Sequence, residues 1–432
     1  MSWVNRYRIK LHLRNSIWIL PAVSIAAGLL AVALLNRLEL AFGWRMSLSP
    51  DTGRVVMSTI AGAMFTLVIV ASSAVLLAVQ LASAQLTPRI IALVYRNTSR
   101  KLSITFFAFT FTFSVAVLVR IEDHVPLLTG YLAAYGFLIN LALFLQFIDS
   151  MGKSLRPSAV LRKVAQAGRE VIREVYPQQL HEHQAPFAKA LRTSNGNQHR
   201  VVLNKVDGVI LAFDLKGLVA LADRSNCVIE LVPEVGNFVA EGDPLFRIYE
   251  GGDDLNDETL QRSIAVGQER TLEQDPMFSF RIMVDIASKA LSPAINDPTT
   301  AVLAIDQIHH LLRDLGKRYL SDGRETSKGN LRLIYRTPNW EDFVHLAVTE
   351  IRQYGRDSVQ VMRRLKAMLE SLIQTLPEHR APLLLRELRL LETSAKRMFP
   401  DPDDQTLAAV GDLQGMGGGG NSDSQPARVQ TS

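Results

Sequence analysis

The sequence predicts a membrane α-helical fold of four transmembrane helices, followed by an α+β region holding a small β barrel-sandwich-like domain and a helical domain. Three observations carry that expectation. Four apolar runs, Ile17–Leu35, Val55–Ala82, Leu102–Val119 and Leu127–Ile148, contain no Lys, Arg, Asp or Glu, and each reaches or approaches the roughly 20 residues a helix needs to cross a hydrocarbon core. Between Val201 and Tyr249 apolar residues take the period of strands, and from Asp257 onward they return to that of helices. The chain divides accordingly into a transmembrane domain (1–150), a connector helix and linker (151–200), a β-rich domain (201–250), a helical domain (251–399) and a disordered tail (400–432).

Basic residues orient the runs. Arg6, Arg8, Lys10 and Arg14 precede the first, Arg89, Arg96, Arg100 and Lys101 link the second to the third, and Lys153, Arg156, Arg162, Lys163 and Arg169 follow the fourth. The opposite loops hold only Arg37, Arg45, Arg54 and Arg120. Thirteen against four is the positive-inside pattern, which puts both termini and the α+β region in the cytoplasm. The first run has a basic lead and the small residues Ala31-Val32-Ala33, but its core exceeds the roughly 7–15 residues of a cleaved signal and reads as an anchor.

The second run carries the most informative pattern. Thr59, Thr66, Ser73, Gln80 and Thr87 fall seven apart and form one nearly straight polar stripe on an apolar helix. In lipid, polar side chains face protein or water. The stripe is therefore either the lining of a polar path or a packing seam, where Gln80 adds about 1–2 kcal/mol of interhelical hydrogen bonding. Asn140 and Gln146 in the fourth run are placed to answer it from a neighbouring helix. The phenylalanines at 106, 107, 109, 111 and 113 in the third run read as packing.

Past Ile148 the residues from Ser158 to Val175 recur at helical spacing and end near Pro177, a connector helix. VVLNKVDGVILAFD reads as a strand pair bent at Gly208, LKGLVALADRS as a short helix, and CVIELVPEVGNFVAEGDPLFRIYE as strands broken at Pro233, Gly236 and Gly242-Asp243-Pro244. This arrangement resembles the compact barrel-sandwich of biotinyl and lipoyl carrier domains and membrane-fusion adaptors. Such carriers display a modifiable lysine, usually beside methionine, and neither Lys205 nor Lys216 has that neighbour. The likeness thus implies a docking barrel with no attached cofactor.

Two helix starts share one grammar: Asp275-Pro276 and Asp297-Pro298, each with an aspartate to cap free amides and a proline suited to the first helical position. Gly316 stops the second of these helices, a polar loop runs to Gly329, and Trp340–Leu376 and Arg380–Met398 read as two more amphipathic helices. The Gly-rich stretch beyond Asp401 reads as disordered.

Composition limits the function classes. Hydrophobic residues make up 48% and charged residues 21%, and the net charge of +5 is concentrated in the clusters flanking the spans. Anionic lipid headgroups are therefore the expected partner and nucleic acid is not. The lone Cys227 excludes an internal disulfide and fits a reducing compartment.

The densest polar constellation is ALSPAINDPTTA, where Asn296, Asp297, Thr299 and Thr300 gather at a helix start, able either to hold an anion or simply to cap. Arg281 and Asp285, four apart on the preceding helix, stand within reach of the same corner. His181 with His183, and His309 with His310, lack the further ligands of a metal set, so no metal is expected. Gly152-Lys153-Ser154 lacks the earlier glycine of a phosphate loop, and no nucleophile motif or acid pair is visible. No catalytic residue is assigned, and no enzyme activity is expected.

Gln80-Leu81-Ala82-Ser83, Leu86-Thr87-Pro88-Arg89, Asp275-Pro276, Asp285-Ile286-Ala287 and above all ALSPAINDP with Thr300-Ala301 resemble the bacterial predicted-membrane-protein family called domain-of-unknown-function 2254, from about Arg14 to Met398. The resemblance implies four N-terminal spans in the bacterial inner membrane and a cytosolic C-terminal region, and transfers no catalytic residue. Two functions stay open: a homo-oligomeric, channel-like or transport-related module gated or assembled by its soluble part, or a membrane-anchored scaffold or sensor whose spans only tether.

Overall fold

The computed structural model describes residues 2–42, 48–91, 96–122, 125–180 and 199–418. The chain forms two compact units: Lys10–Val160, and Met1–Ile9 together with Leu161–Ser432.

The first unit contains the last residues of α1 (Trp3–Asn15), then α2 (Ile19–Phe42), α3 (Pro50–Gln85), α4 (Thr98–Leu118) and α5 (Leu127–Ser154). Helices α2 to α5 are long and apolar enough to cross a membrane. Helix α4 is central, with α2, α3 and α5 packed on it. Two apolar clusters occupy much of the interior, one around Met57, Met64 and Phe113, the other around Ala71, Val75 and Phe107. Outward, large side chains such as Leu34, Ile69, Leu138 and Leu145 are exposed. Water would penalise that surface at about 25 cal/mol per Å², whereas acyl chains solvate it without cost.

Helix starts follow local chemistry. Ser49 caps the Thr52 amide of α3 and Asn97 the Arg100 amide of α4. Pro126 precedes α5 without a side-chain cap, and that role passes to the end of another helix. Glu39 of α2 is buried and accepts the Leu128 and Thr129 amides, a carboxylate on the positive end of the α5 dipole. Two flanking cations are interior as well. Arg100 donates to Ser154 Oγ at 3.0 Å, and Lys101 donates to the Arg14 carbonyl at 2.7 Å, satisfying the open C-terminal end of α1.

The second unit begins with the first turns of α1 and continues with α6 (Pro157–Val175), which carries chain from Leu161 onward into it. A Cβ on Gly168 would meet Ser279 and Leu311, so this amphipathic helix is part of the unit's core.

The barrel-sandwich expectation is not met. Strands β1 (Arg200–Leu203), β2 (Gly208–Phe213), β3 (Val228–Leu231), β4 (Phe238–Val239), β5 (Pro244–Tyr249), β6 (Ile264–Gly267), β7 (Arg324–Ser327) and β8 (Asn330–Tyr335) build two open sheets, ordered β1-β5-β3-β8-β7 and β4-β2-β6. The supposed pair β1 and β2 is split between them, because β1 pairs antiparallel with β5 and β2 with β4 and β6. Gly316–Gly329 is not all loop: β7 and β8 form a hairpin, and β8 runs parallel to β3 with Ile229 opposite Leu333. Lys328 and Gly329 at the hairpin tip both take left-handed φ, 51° and 82°, as a two-residue hairpin turn requires. The expected short helix is present as α7 (Leu215–Arg224).

Helices α8 (Asp257–Gln261), α9 (Pro276–Ala290), α10 (Pro298–Gly316), α11 (Trp340–Tyr354), α12 (Val359–Thr375) and α13 (Ala381–Met398) complete the unit. The expected tail departs from disorder as far as Gly418. Residues Pro402–Ala408 form α14, and the buried Arg363 of α12 donates to the carbonyls of Val410, Gly417 and Gly418. Asp412 accepts the amides of Gln414, Gly415 and Gly417.

Candidate functional site

In the first unit the polar stripe lies on the outer face. Met57, Met64, Ala71 and Ala78 are buried, and Thr59, Thr66, Ser73 and Gln80, each two residues later, are exposed, about 200° round the helix. Thr59 and Thr66 give their hydroxyl hydrogens to the Val55 and Gly62 carbonyls of their own helix, at 2.8 and 3.0 Å. Thr87 is not part of the stripe. Helix α3 stops at Gln85, and Thr87 is buried and caps the short turn Pro88–Ile90 through the Arg89 amide. Asn140 is on another face, buried, donating to Thr110 Oγ1 at 2.6 Å beside Met64 Sδ; Gln146 is exposed.

In the second unit the ALSPAINDP corner is a capped turn. Asn296 takes a left-handed φ of 48°, the Asp297 amide donates to the Ala290 carbonyl at 2.8 Å, and the Asp297 carboxylate accepts the Thr300 amide at 3.0 Å and its hydroxyl. Asn296 and Thr299 are exposed. Arg281 and Asp285 belong to a separate ion cluster: Arg281 binds Asp285 at 2.6 Å and grips both oxygens of Glu350 on α11. His181 and His183 lie outside the described residues. Among the described residues no three His, Cys, Asp or Glu side chains gather to hold a metal ion.

The constellation that sequence reading missed is a cavity of about 340 Å³ in this unit. The first turns of α7 and α9 open on it, as do Trp3 of α1, Tyr176 after α6, Glu234 between β3 and β4, and Tyr335 at the end of β8. Gln274 pins the approach to α9 by bonding the Phe213 amide and carbonyl, at 3.0 and 3.2 Å. Asp275, 3% exposed, gives Oδ1 to the Phe278 amide at 3.0 Å, while its Oδ2 takes no hydrogen bond. Arg270 stands 3.5 Å from that oxygen and donates its Nε hydrogen to the Gly236 carbonyl at 3.0 Å instead. Gly236, with φ 91°, lies where the Arg270 side chain would meet any Cβ, so the turn that carries Glu234 also seats Arg270.

Burial sets the protonation of this pocket. It pushes Asp275 up to about 6, against Arg270 and the Phe278 and Met277 amides. Burial, then Asp342 and Asp275, also raises Glu234. Tyr176 and Tyr335 are shifted upward by burial too, the latter to about 12. The sequence signal for this site is the Asp275-Pro276 pair, which by itself marks a helix cap.

The family model described as "Predicted membrane protein" (domain of unknown function 2254) matches residues 14–371. The chain belongs to this family. Uncharacterized proteins of Mycobacterium bovis and of two strains of Mycobacterium tuberculosis are each 26% identical over 435 residues, covering 94% of this chain and 81% of theirs. No solved structure matches the chain. Membership agrees with the four apolar helices.

Proposed function

We propose that the chain is a transport-related, channel-like module built as a homo-oligomer in the bacterial inner membrane, with the α+β unit on the cytoplasmic side as its regulatory part. The observation that carries this reading is the exposed α3 stripe. Two apolar clusters occupy the interior of one copy, so the polar path runs between copies, along Thr59, Thr66, Ser73 and Gln80. A second reading, an anchored sensor whose spans only tether, draws on the own-helix bonds of Thr59 and Thr66, which relieve those hydroxyls of any need for a partner.

Single cysteines at Thr66, Ser73 and Gln80, after Cys227→Ser, separate the two. The channel-like reading expects disulfide cross-links between copies and reaction with a charged, membrane-impermeant thiol reagent, because only hydrated thiols ionise. Control cysteines at Leu34 and Leu145, on exposed apolar faces, should stay silent. Silence at all three stripe positions in folded, inserted protein leaves the anchored sensor. The cytoplasmic placement rests on the positive-inside count. A reporter active only in the cytoplasm should work after Met398, and one active only outside should work between α2 and α3.

A further inference from the structure

We infer that the cavity walled by Trp3, Phe213 and Tyr335 binds a small organic monocation, an ammonium or amidinium head on an aromatic or aliphatic body. The volume, about 340 Å³, falls near the lower end of the roughly 300–1,000 Å³ of small-molecule sites. Its polar chemistry selects the head group. Asp275 is almost wholly buried and Oδ2 has no hydrogen-bond donor, in a protein interior where such an atom is costly. That oxygen is an acceptor without a hydrogen bond, 3.5 Å from Arg270, and a cationic N–H group is the ligand chemistry that complements it.

Charge points the same way. Glu234 and Asp275 share their surroundings with Asp342, Arg270 and Arg336, and Asp214 also lines the cavity, so carboxylates outnumber guanidiniums and a ligand cation has negative charge to balance. The exposed Lys216 and Glu174 at the rim cancel each other. The walls supply the rest. Trp3, Phe213, Tyr176 and Tyr335 line the cavity, and aromatic faces attract a cation and bury an apolar body together. An anionic ligand would meet the Asp275 and Glu234 carboxylates, and a neutral one would leave the net charge unpaired.

The test uses the full chain in detergent micelles and three matched probes: tryptamine, its neutral analogue tryptophol, and indole-3-acetate. Titration calorimetry should show saturable tryptamine binding, with both other probes weaker by about thirtyfold or more, the cost of removing one charge from a buried pair. Asp275→Asn keeps the cap acceptor, and Glu234→Gln lies on a half-buried turn, so both variants should fold. Each should weaken tryptamine by a similar factor and leave tryptophol unchanged. Equal binding of amine and alcohol, unchanged tryptamine binding in both variants, or no saturable tryptamine binding by the wild type would each overturn the assignment. None of these outcomes depends on whether α3 lines a path.

Discussion

Replacing Asp275 with asparagine should make the protein more stable, and only above a defined pH. The carboxyl is buried and its folded-state value, about 6, lies above the ordinary 3.8; that gap corresponds to about 3 kcal/mol. Because the folded value is raised, the protonated form is the one the fold prefers. The associated stability is complete below pH 3.8 and is lost as pH rises through about 6. Asparagine resembles the protonated acid, keeps the Oδ1 acceptor for the Phe278 amide, and never ionises. Thermal unfolding of the full chain in detergent should therefore show Asp275→Asn ahead of wild type by up to about 3 kcal/mol at pH 8, with the advantage shrinking toward zero at pH 4. Asp275→Ala also removes the charge but forfeits the cap, so its gain should be about 1 kcal/mol smaller. An asparagine variant that is less stable at pH 8, or whose difference from wild type does not change with pH, would refute the argument. Such a cost is tolerated where a binding group must stay charged.

Asp297→Ala, by contrast, should cost about 1 kcal/mol, because that carboxylate is a plain cap; the same unfolding assay checks it. Glu39→Ala should cost about 2 kcal/mol by stripping two amides of α5 of their acceptor, with Glu39→Gln intermediate, measured as loss of resistance to heating in detergent. Arg363→Met should cost about 3 kcal/mol by leaving the carbonyls of Val410, Gly417 and Gly418 without their donor. It should also open the chain after Met398 to limited proteolysis while the rest of the unit stays intact.

The spans were legible because lipid demands an unbroken apolar run, and few soluble segments imitate one. Which side of α3 faces inward was not, since the buried set beginning at Met57 and the polar set beginning at Thr59 repeat with the same seven-residue period. Strand β8 escaped notice because Arg332 sits buried within it, held by Asp223 and Asn226, so its alternation looks polar where it is interior. The parallel pairing with β3 joins residues about a hundred positions apart, and no local signal announces it. Asp275 and Asp297 make the same point more sharply. Both precede a proline, and both cap at 3.0 Å with φ of −115°. Only the surroundings, contributed by β2, β8 and α1, turn one of them into the wall of a cavity.

The placement of α1 bears on how the molecule is made. Trp3 and Tyr7 stack on each other, and Tyr7 meets the Thr271 hydroxyl across 264 positions of sequence. At about 5–20 residues per second of synthesis, that interval lasts roughly 15 to 50 seconds. For its duration the first helix has been translated and the surface it will cover has not. The apolar runs must be threaded into the bilayer in that interval while Trp3 waits, so closure of the cavity is among the last events in the chain's assembly. A bulky fusion ahead of Trp3 would leave the spans inserted and the pocket without one wall.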